Sequence, residues 1–354
     1  MKKIGVIFTG GTIGSQYNSE HIDIHKQGAY VLLERYKNDA LCKDVEFFHA
    51  QPLNELSENL LPEQWLTMFN AIQNAVQKGC DGIILTHGTD TLPYTAAALS
   101  LMLGSSLKVP VVLVSADLPL ENPLSNGYIN FCAAVNLFHC APLKGVFVPY
   151  FQNGEQYIHL GTRLAESLSF KDDFSSIGEL WWGKMQNDKL VLNEQTGNVS
   201  LEAILNKPVL TLPKYSFCDN ILFIKPYIGL NYGLNDFSKI KPAAIVHGVY
   251  HSGTACATTA QAHSAPAFVK RCNEAGIEVF MAPITRKAGL RYASTESIIA
   301  AGAIPLENIS QEAALIKVML AYGSITSQKD RIDYINSDVF FEHVNVNYEL
   351  WCHF

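Results

Sequence analysis

Residues 109 to 115 read Val-Pro-Val-Val-Leu-Val-Ser, an unbroken apolar run of strand length. A strand with one wet face alternates apolar and polar residues, whereas a parallel strand covered on both faces reads as continuous apolar sequence. The run therefore points to a layered α/β fold, and its neighbours agree. Strand-length apolar runs at Ile4 to Phe8, Val45 to Ala50, Ile83 to Thr86 and Gly145 to Tyr150 alternate with longer amphipathic stretches. Those stretches, at Gly28 to Tyr36, Pro62 to about Lys78, Leu92 to Leu103 and Ser125 to His139, predict helices and hence βαβ units on an open parallel sheet. Pro62 in a first turn, Glu63 beside it and Gly79 just past the end suit the termini of one of these helices.

From Phe151 to Asp188 the alternation gives way to polar loops and hairpins, dotted with aromatics such as Trp181 and Trp182, which read as packing or a subunit surface. Asn193, Gly197-Asn198, Pro208 and Pro213 then break any long element. Strand and helix runs resume at Ile221 to Ile224, Ala243 to His247, Ala262 to Ala275, Ile277 to Ala282, Ser294 to Ala301 and Gln311 to Ala321. The sequence thus predicts an N-terminal domain over 1–190 with a flavodoxin-like parallel sheet, a linker over 191–214, and a smaller C-terminal α/β domain over 215–354. No internal repeat or low-complexity tract is present.

Composition narrows the function. A chain of 354 residues, 48% hydrophobic and 17% charged, can bury cores for two such domains. A net charge of −7 leaves no basic stripe for nucleic acid. Met1-Lys2-Lys3 precedes too short an apolar run for a signal peptide, and no run reaches the roughly 18 apolar residues of a membrane span. The eight cysteines form no CxxC pair or metal-ligand spacing. They read as reduced, buried thiols of a cytoplasmic protein. No cofactor and no metal is expected.

The chemistry sits where two predicted strands end. Val6-Ile7-Phe8-Thr9 runs into Gly10-Gly11-Thr12, and Ile83-Ile84-Leu85-Thr86 runs into His87-Gly88-Thr89-Asp90-Thr91. Glycine lacks a Cβ, so backbone there can approach a ligand closely. Taken alone, the first step reads sooner as a tight turn than as a site, and the second is equally the cap of the helix beginning at Leu92. Neither GxGxxG nor GxxxxGK[ST] is present to make either a nucleotide site. Ligands of open α/β sheets bind outside the carboxyl ends of the strands. Thr12, Thr89, Asp90 and the Ser115-Ala116 step all fall at such ends, which predicts one pocket.

Together, TGGTIG at the first strand and HGTDT at a later one resemble the bacterial-type L-asparaginases, and the cytoplasmic type I group in particular. Leu56-Ser57-Glu58-Asn59 before Pro62, Val114-Ser115-Ala116-Asp117 with Asn130, and Gln311 to Lys317 resemble further segments of that family. The resemblance implies a two-domain asparaginase-like architecture and a homodimer or homotetramer that takes a small amino-acid amide. It implies hydrolysis of L-asparagine or a related amide to the acid and ammonia through an acyl-threonine. Thr12 would be the nucleophile, and Thr89, Asp90 and Tyr17 its catalytic partners. Gly11, Ser57, Glu58, Gly88, Thr89, Asp90 and Ala116 would bind substrate, with Asp90 and Glu58 on the α-ammonium.

Four positions depart from that pattern. Glu166 stands where the family has a lysine, three residues after Arg163, which either supplies a cation in its place or forms an exposed ion pair with it. Tyr17 lies closer to Thr12 than the family spacing suggests. Thr254 replaces an asparagine, and no acid occurs between Met281 and Thr295. These departures leave room for an amino-acid-binding homologue with weak or lost turnover, or for an amidase with a shifted substrate.

Overall fold

The computed structural model describes residues 1–11, 13, 15–17, 22–24, 28–39, 43–285 and 291–345, with backbone only for 15–17, 22–24 and 28–30. The chain divides into two compact units, Met1–Pro213 with Val339–Phe341, and Lys214–Asp338 with the chain from Glu342 onward.

In the first unit the strands are β1 (Lys2–Ile7), β2 (Ser15–Tyr17), β3 (Ile22–Ile24), β4 (Val45–Ala50), β5 (Gly82–Thr86) and β6 (Pro110–Val114), followed by β7 (Gly145–Gln152) and β8 (Glu155–Leu160). Short strands β9 (Leu164–Ala165) and β10 (Ser175–Ser176) precede β11 (Gly183–Gln186) and β12 (Lys189–Leu192). Helices α1 (Gly28–Asn38), α2 (Pro62–Gln77), α3 (Leu92–Leu103), α4 (Gly127–Cys140) and α5 (Leu201–Asn206) lie between and after them. Eight strands form one sheet in the order β12-β11-β8-β7-β6-β5-β1-β4. From β4 to β7 every pair is parallel, and β8, β11 and β12 then continue it antiparallel. The α/β class is as expected, but the sheet is mixed: the stretch read as loops and hairpins supplies its far edge. Trp182 is part of that edge's packing. It is fully buried, meets Phe147 at 4.8 Å and donates Nε1 to the Val199 carbonyl at 2.8 Å.

The helices follow from local sequence. On α2, Trp65, Met68, Ile72 and Ala75 form one buried stripe. Gln64 Oε1 accepts from the Leu61 N–H at 2.7 Å, and Gly79 takes φ +81° just past the C-terminus. Helix α3 is apolar and buried on nearly every side, and Trp65 Nε1 donates to Thr95 Oγ1 at 2.9 Å to join it to α2. The Val339–Phe341 segment completes the first unit's core. Phe340 is fully buried against Gly104 and Gly145, whose missing side chains leave its ring room.

In the second unit β13 (Ile221–Ile224), β14 (Ala244–Gly248), β15 (Glu278–Ile284) and β16 (Ile304–Glu307) form a four-stranded parallel sheet. Its helices are α6 (Ala265–Glu274), α7 (Ala293–Ala300), α8 (Gln311–Ser324) and α9 (Gln328–Asn336). Ser264, Ser310 and Ser327 cap α6, α8 and α9 through their hydroxyls. Helices α5 and α9 were not expected from the sequence. Among the described residues no helix is long and apolar enough to cross a membrane. The thiols are not uniformly buried: Cys80 and Cys272 are, but Cys256 is exposed, and Cys42 and Cys352 lie outside the described residues.

Candidate active site

Three chain segments meet at the carboxyl ends of β1 and β5. Thr9 and Thr86 lock the two strand ends together: Thr9 Oγ1 donates to the Thr86 carbonyl at 2.5 Å, and Thr86 Oγ1 accepts from the Thr9 N–H at 3.2 Å. Beyond them Gly10 and Gly11 take φ of +105° and +77°, which only glycine adopts without strain. The Gly11 N–H donates to the Glu55 carbonyl at 3.1 Å and the Glu55 N–H to the Thr9 carbonyl at 3.0 Å. A Cβ on Gly10 would strike the Glu55 backbone, and one on Gly11 the Gly88 backbone. A Cβ on Gly88 would in turn lie 2.5 Å from Ser57 Oγ. Gly11, Gly88 and buried Ser57 are therefore in direct contact, and Thr91 Oγ1 donates to the Ser57 carbonyl at 2.9 Å.

The structure brings together most of the residues singled out in the sequence. Gly11, Ser57 and Gly88 converge, half-buried Thr89 follows, and exposed Asp90 shares the rim with exposed Glu58. Asp90's carboxyl is held above its ordinary range, first by lost hydration and then by the Glu58 charge. Ala116 is buried just past the end of β6. Thr12 lies outside the described residues, and Tyr17 is described only in its backbone, on β2.

His87 is buried, and its Nδ1 lies 2.7 Å from the Gly88 carbonyl. A carbonyl only accepts, so Nδ1 carries the proton. Burial lowers the His87 pKa to about 4, so the ring is neutral near pH 7 and fixes the carbonyl beside Thr89 without adding charge.

Arg163 is an interior side chain. It is 2% exposed, with Nε on the Phe341 carbonyl at 2.8 Å and one terminal nitrogen on the Gly197 carbonyl at 3.3 Å. Its neighbour Thr162 likewise donates to the Phe340 carbonyl at 2.9 Å. The pair anchors the Val339–Phe341 segment, and the exposed ion pair is not the arrangement Arg163 adopts. Glu166 is exposed and accepts a hydrogen bond from the Tyr94 hydroxyl, in the first turn of α3. Tyr94 was not singled out in the sequence; its place four residues after Asp90 was the available signal. Thr254 belongs to the second unit, where its carbonyl accepts from the Tyr250 N–H at 2.9 Å and its hydroxyl lies 3.1 Å from that of Ser252. Among the described residues no group of three or more histidines, cysteines or carboxylates is placed to hold a metal ion.

Residues 3–197 match the family described as asparaginase, N-terminal. The chain belongs to the asparaginase family. It is 28% identical over 342 residues to a glutamyl-tRNA(Gln) amidotransferase subunit of Methanococcus maripaludis, covering 92% of this chain and 77% of that one. Its fold is similar to the thermostable L-asparaginase of Thermococcus kodakarensis, with a TM-score of 0.77 and 25% identity over 97% of this chain and 100% of the other. L-asparaginase I of Vibrio cholerae O1 biovar eltor superposes with the same TM-score at 23% identity, over 97% of this chain and 99% of that one. The protein is accordingly an amidohydrolase of the asparaginase fold.

Proposed function

We propose that this amidohydrolase hydrolyses L-asparagine, or a related small amino-acid amide, to the carboxylate and ammonia through an acyl-threonine intermediate. The observation that supports this is the convergence of Gly11, Ser57 and Gly88 at two strand ends, with Thr89 and Asp90 following. In this reading Thr12 Oγ adds to the amide carbonyl, and the nitrogen leaves as ammonia with the hydroxyl's proton. Water then cleaves the ester, releasing the acid and restoring the threonine. A hydroxyl needs a neighbour to take its proton, the part assigned to Thr89 and Tyr17. Since the Gly11 N–H already serves Glu55, the developing oxyanion falls to the N–H groups around Gly88 and Thr89. Ser57 receives the α-carboxylate, and Asp90 with Glu58 the α-ammonium.

The test is ammonia release from L- and D-asparagine, L-glutamine and short amides, with Thr12→Ala as control. Turnover of at least one amide, lost in the Thr12 variant, is expected. Aspartate binding by calorimetry with no ammonia from any amide would replace this reading with that of a binding homologue. A second reading is favoured by the curated relatives, named as components of an amidotransferase: the same cleavage, with ammonia passed to a partner protein. Glutamine preferred over asparagine, and turnover raised by an added partner, would select it. In the first reading the protein is a homodimer or homotetramer, which sedimentation reports directly.

A further inference from the structure

On the face of the first sheet opposite α4 lies a row of buried polar groups that the proposed reaction does not use. Thr86 pairs with Val114, and the His87 N–H donates to the Val114 carbonyl at 2.9 Å, so the ladder continues one residue and sets His87 beside Ser115. On β7 and β8, Tyr150 pairs with Tyr157, and Val148 with His159. Side chains alternate between faces along a strand. Val112, Val114, Phe147, Ile158 and Leu160 belong to the core on the α4 side. His87, Ser115, Tyr150 and His159 have the other parity and so share the opposite face.

The strands between them part at this level. Pairing of β6 with β7 ends at Val112 and Phe147. Past that point the Asn130 side chain substitutes for the ladder, donating to the Ser115 carbonyl at 3.0 Å and accepting from the Phe151 N–H at 2.7 Å. Ser115 and Tyr150 therefore lie past the last ladder pair of β6 and β7, where a side chain rather than a backbone bond joins the two strands.

All four side chains are 0–1% exposed. Among the described residues, His87 Nε2, Ser115 Oγ, Tyr150 Oη and His159 Nε2 have no hydrogen-bond partner, and they are four of the eight such buried atoms. The Asn126 amide lies near enough to act on the Tyr150 hydroxyl: its Oδ1 accepts from the Asp117 N–H and one Nδ2 hydrogen goes to the Phe151 carbonyl, which leaves a second to donate, while the Tyr150 O–H still needs an acceptor. His87 Nδ1 is held by Gly88, which leaves Nε2 a bare acceptor, and His159 Nδ1 lies 2.8 Å from Ser176 Oγ. Buried polar groups in native proteins are satisfied by protein or by ordered water, and cavities that stay dry are apolar.

We propose that His87, Ser115, Tyr150 and His159 line one internal hydration site, a row of bound water molecules running from the Gly88 strand end toward β8. The two hydroxyls both donate and accept, His87 Nε2 accepts, and His159 Nε2 does one or the other according to whether Nδ1 donates to Ser176 Oγ or accepts from it, so the fitting ligand is small, neutral and able to do both. No carboxylate is among the four, which sets the site apart from one for a cation. Water donating to His87 Nε2 also fixes the ring whose other nitrogen holds the Gly88 carbonyl, so these groups are positioning residues for that strand end.

A high-resolution crystal structure of the full chain tests the proposal directly. Ordered water within about 2.7–3.2 Å of at least two of the four atoms is expected. No density there, or the four groups bonded to protein, overturns it. In solution, oxygen-17 relaxation counts long-lived buried waters. Ser115→Val with Tyr150→Phe is expected to lower that count and to move the nitrogen-15 resonance of His87 Nε2, and Ser115→Ala serves where the double variant does not fold. An unchanged count with an unmoved resonance also overturns it. None of these readouts depends on turnover, so they stand or fall separately from the assigned reaction.

Discussion

Gly11 shows how much of this site rests on single atoms that are missing. Its φ of +77° and its contact with the Gly88 backbone both exclude a side chain, so alanine there is strained twice. Gly11→Ala is expected to keep the far-ultraviolet circular dichroism of the fold while lowering kcat/KM for ammonia release by about 100-fold or more, the scale of a misplaced oxyanion donor. Asp90 leads to a prediction about pH. Lost hydration and the Glu58 charge raise its folded pKa, so the folded protein holds that proton more tightly than the unfolded chain does. Stability from this group is therefore present below the unfolded pKa and is lost as pH rises through the folded one. Asp90→Asn should abolish turnover yet raise Tm near pH 7, the gain shrinking as pH falls toward about 4. Calorimetry across that range checks the sign, and a gain that grew on acidification would contradict it. The strand ends at Gly10-Gly11 and Gly88 were legible in the sequence because each is an apolar run that closes on glycine. The side-chain partners were not: Thr86 is 77 residues from Thr9, and Phe341 is 178 from Arg163.

Among the elements, the parallel strands were legible because burial on both faces writes them as apolar runs. The antiparallel edge was harder to read, since β11 and β12 are only four residues each and are joined by Asn187 and Asp188, both at positive φ. Asn153-Gly154 between β7 and β8 was the stronger hairpin signal. Helix α8 hides a charge that sequence would place outside. Lys317 and Glu342 are each fully buried, 2.5 Å apart, and Lys317 also donates to the Ser337 carbonyl. Removing one partner of such a pair leaves a buried charge uncompensated, which costs about 3–5 kcal/mol, whereas replacing both with apolar groups is often neutral. Glu342→Gln is expected to lose stability on that scale in urea, and Lys317→Met with Glu342→Leu to regain most of it. If the double variant were as unstable as the single one, the ion pair itself would be a net stabilising interaction.

At the scale of the whole molecule, the first unit is not contiguous in sequence. It takes in Val339–Phe341 from the far end of the chain, where Phe340 fills the space left by Gly104 and Gly145 and its carbonyl and that of Phe341 receive Thr162 and Arg163. A buried phenylalanine cut to alanine costs about 3–5 kcal/mol. A chain ended after residue 338 loses that burial and also leaves the Thr162 hydroxyl and Arg163 Nε without their carbonyl acceptors. The truncation should therefore destabilise the first unit more than Phe340→Ala does, although every residue of its sheet remains. Hydrogen exchange resolves this by location. Amides of β5, β6 and β7 should lose protection in both variants, and by a larger factor in the truncated chain. Equal protection in the truncated and full-length proteins would mean that the first unit's core closes without residues 339–341. Loss of protection in the truncation alone would assign the effect to what it removes besides the ring, the two carbonyl anchors and Glu342, and Glu342→Gln in the full chain separates those two.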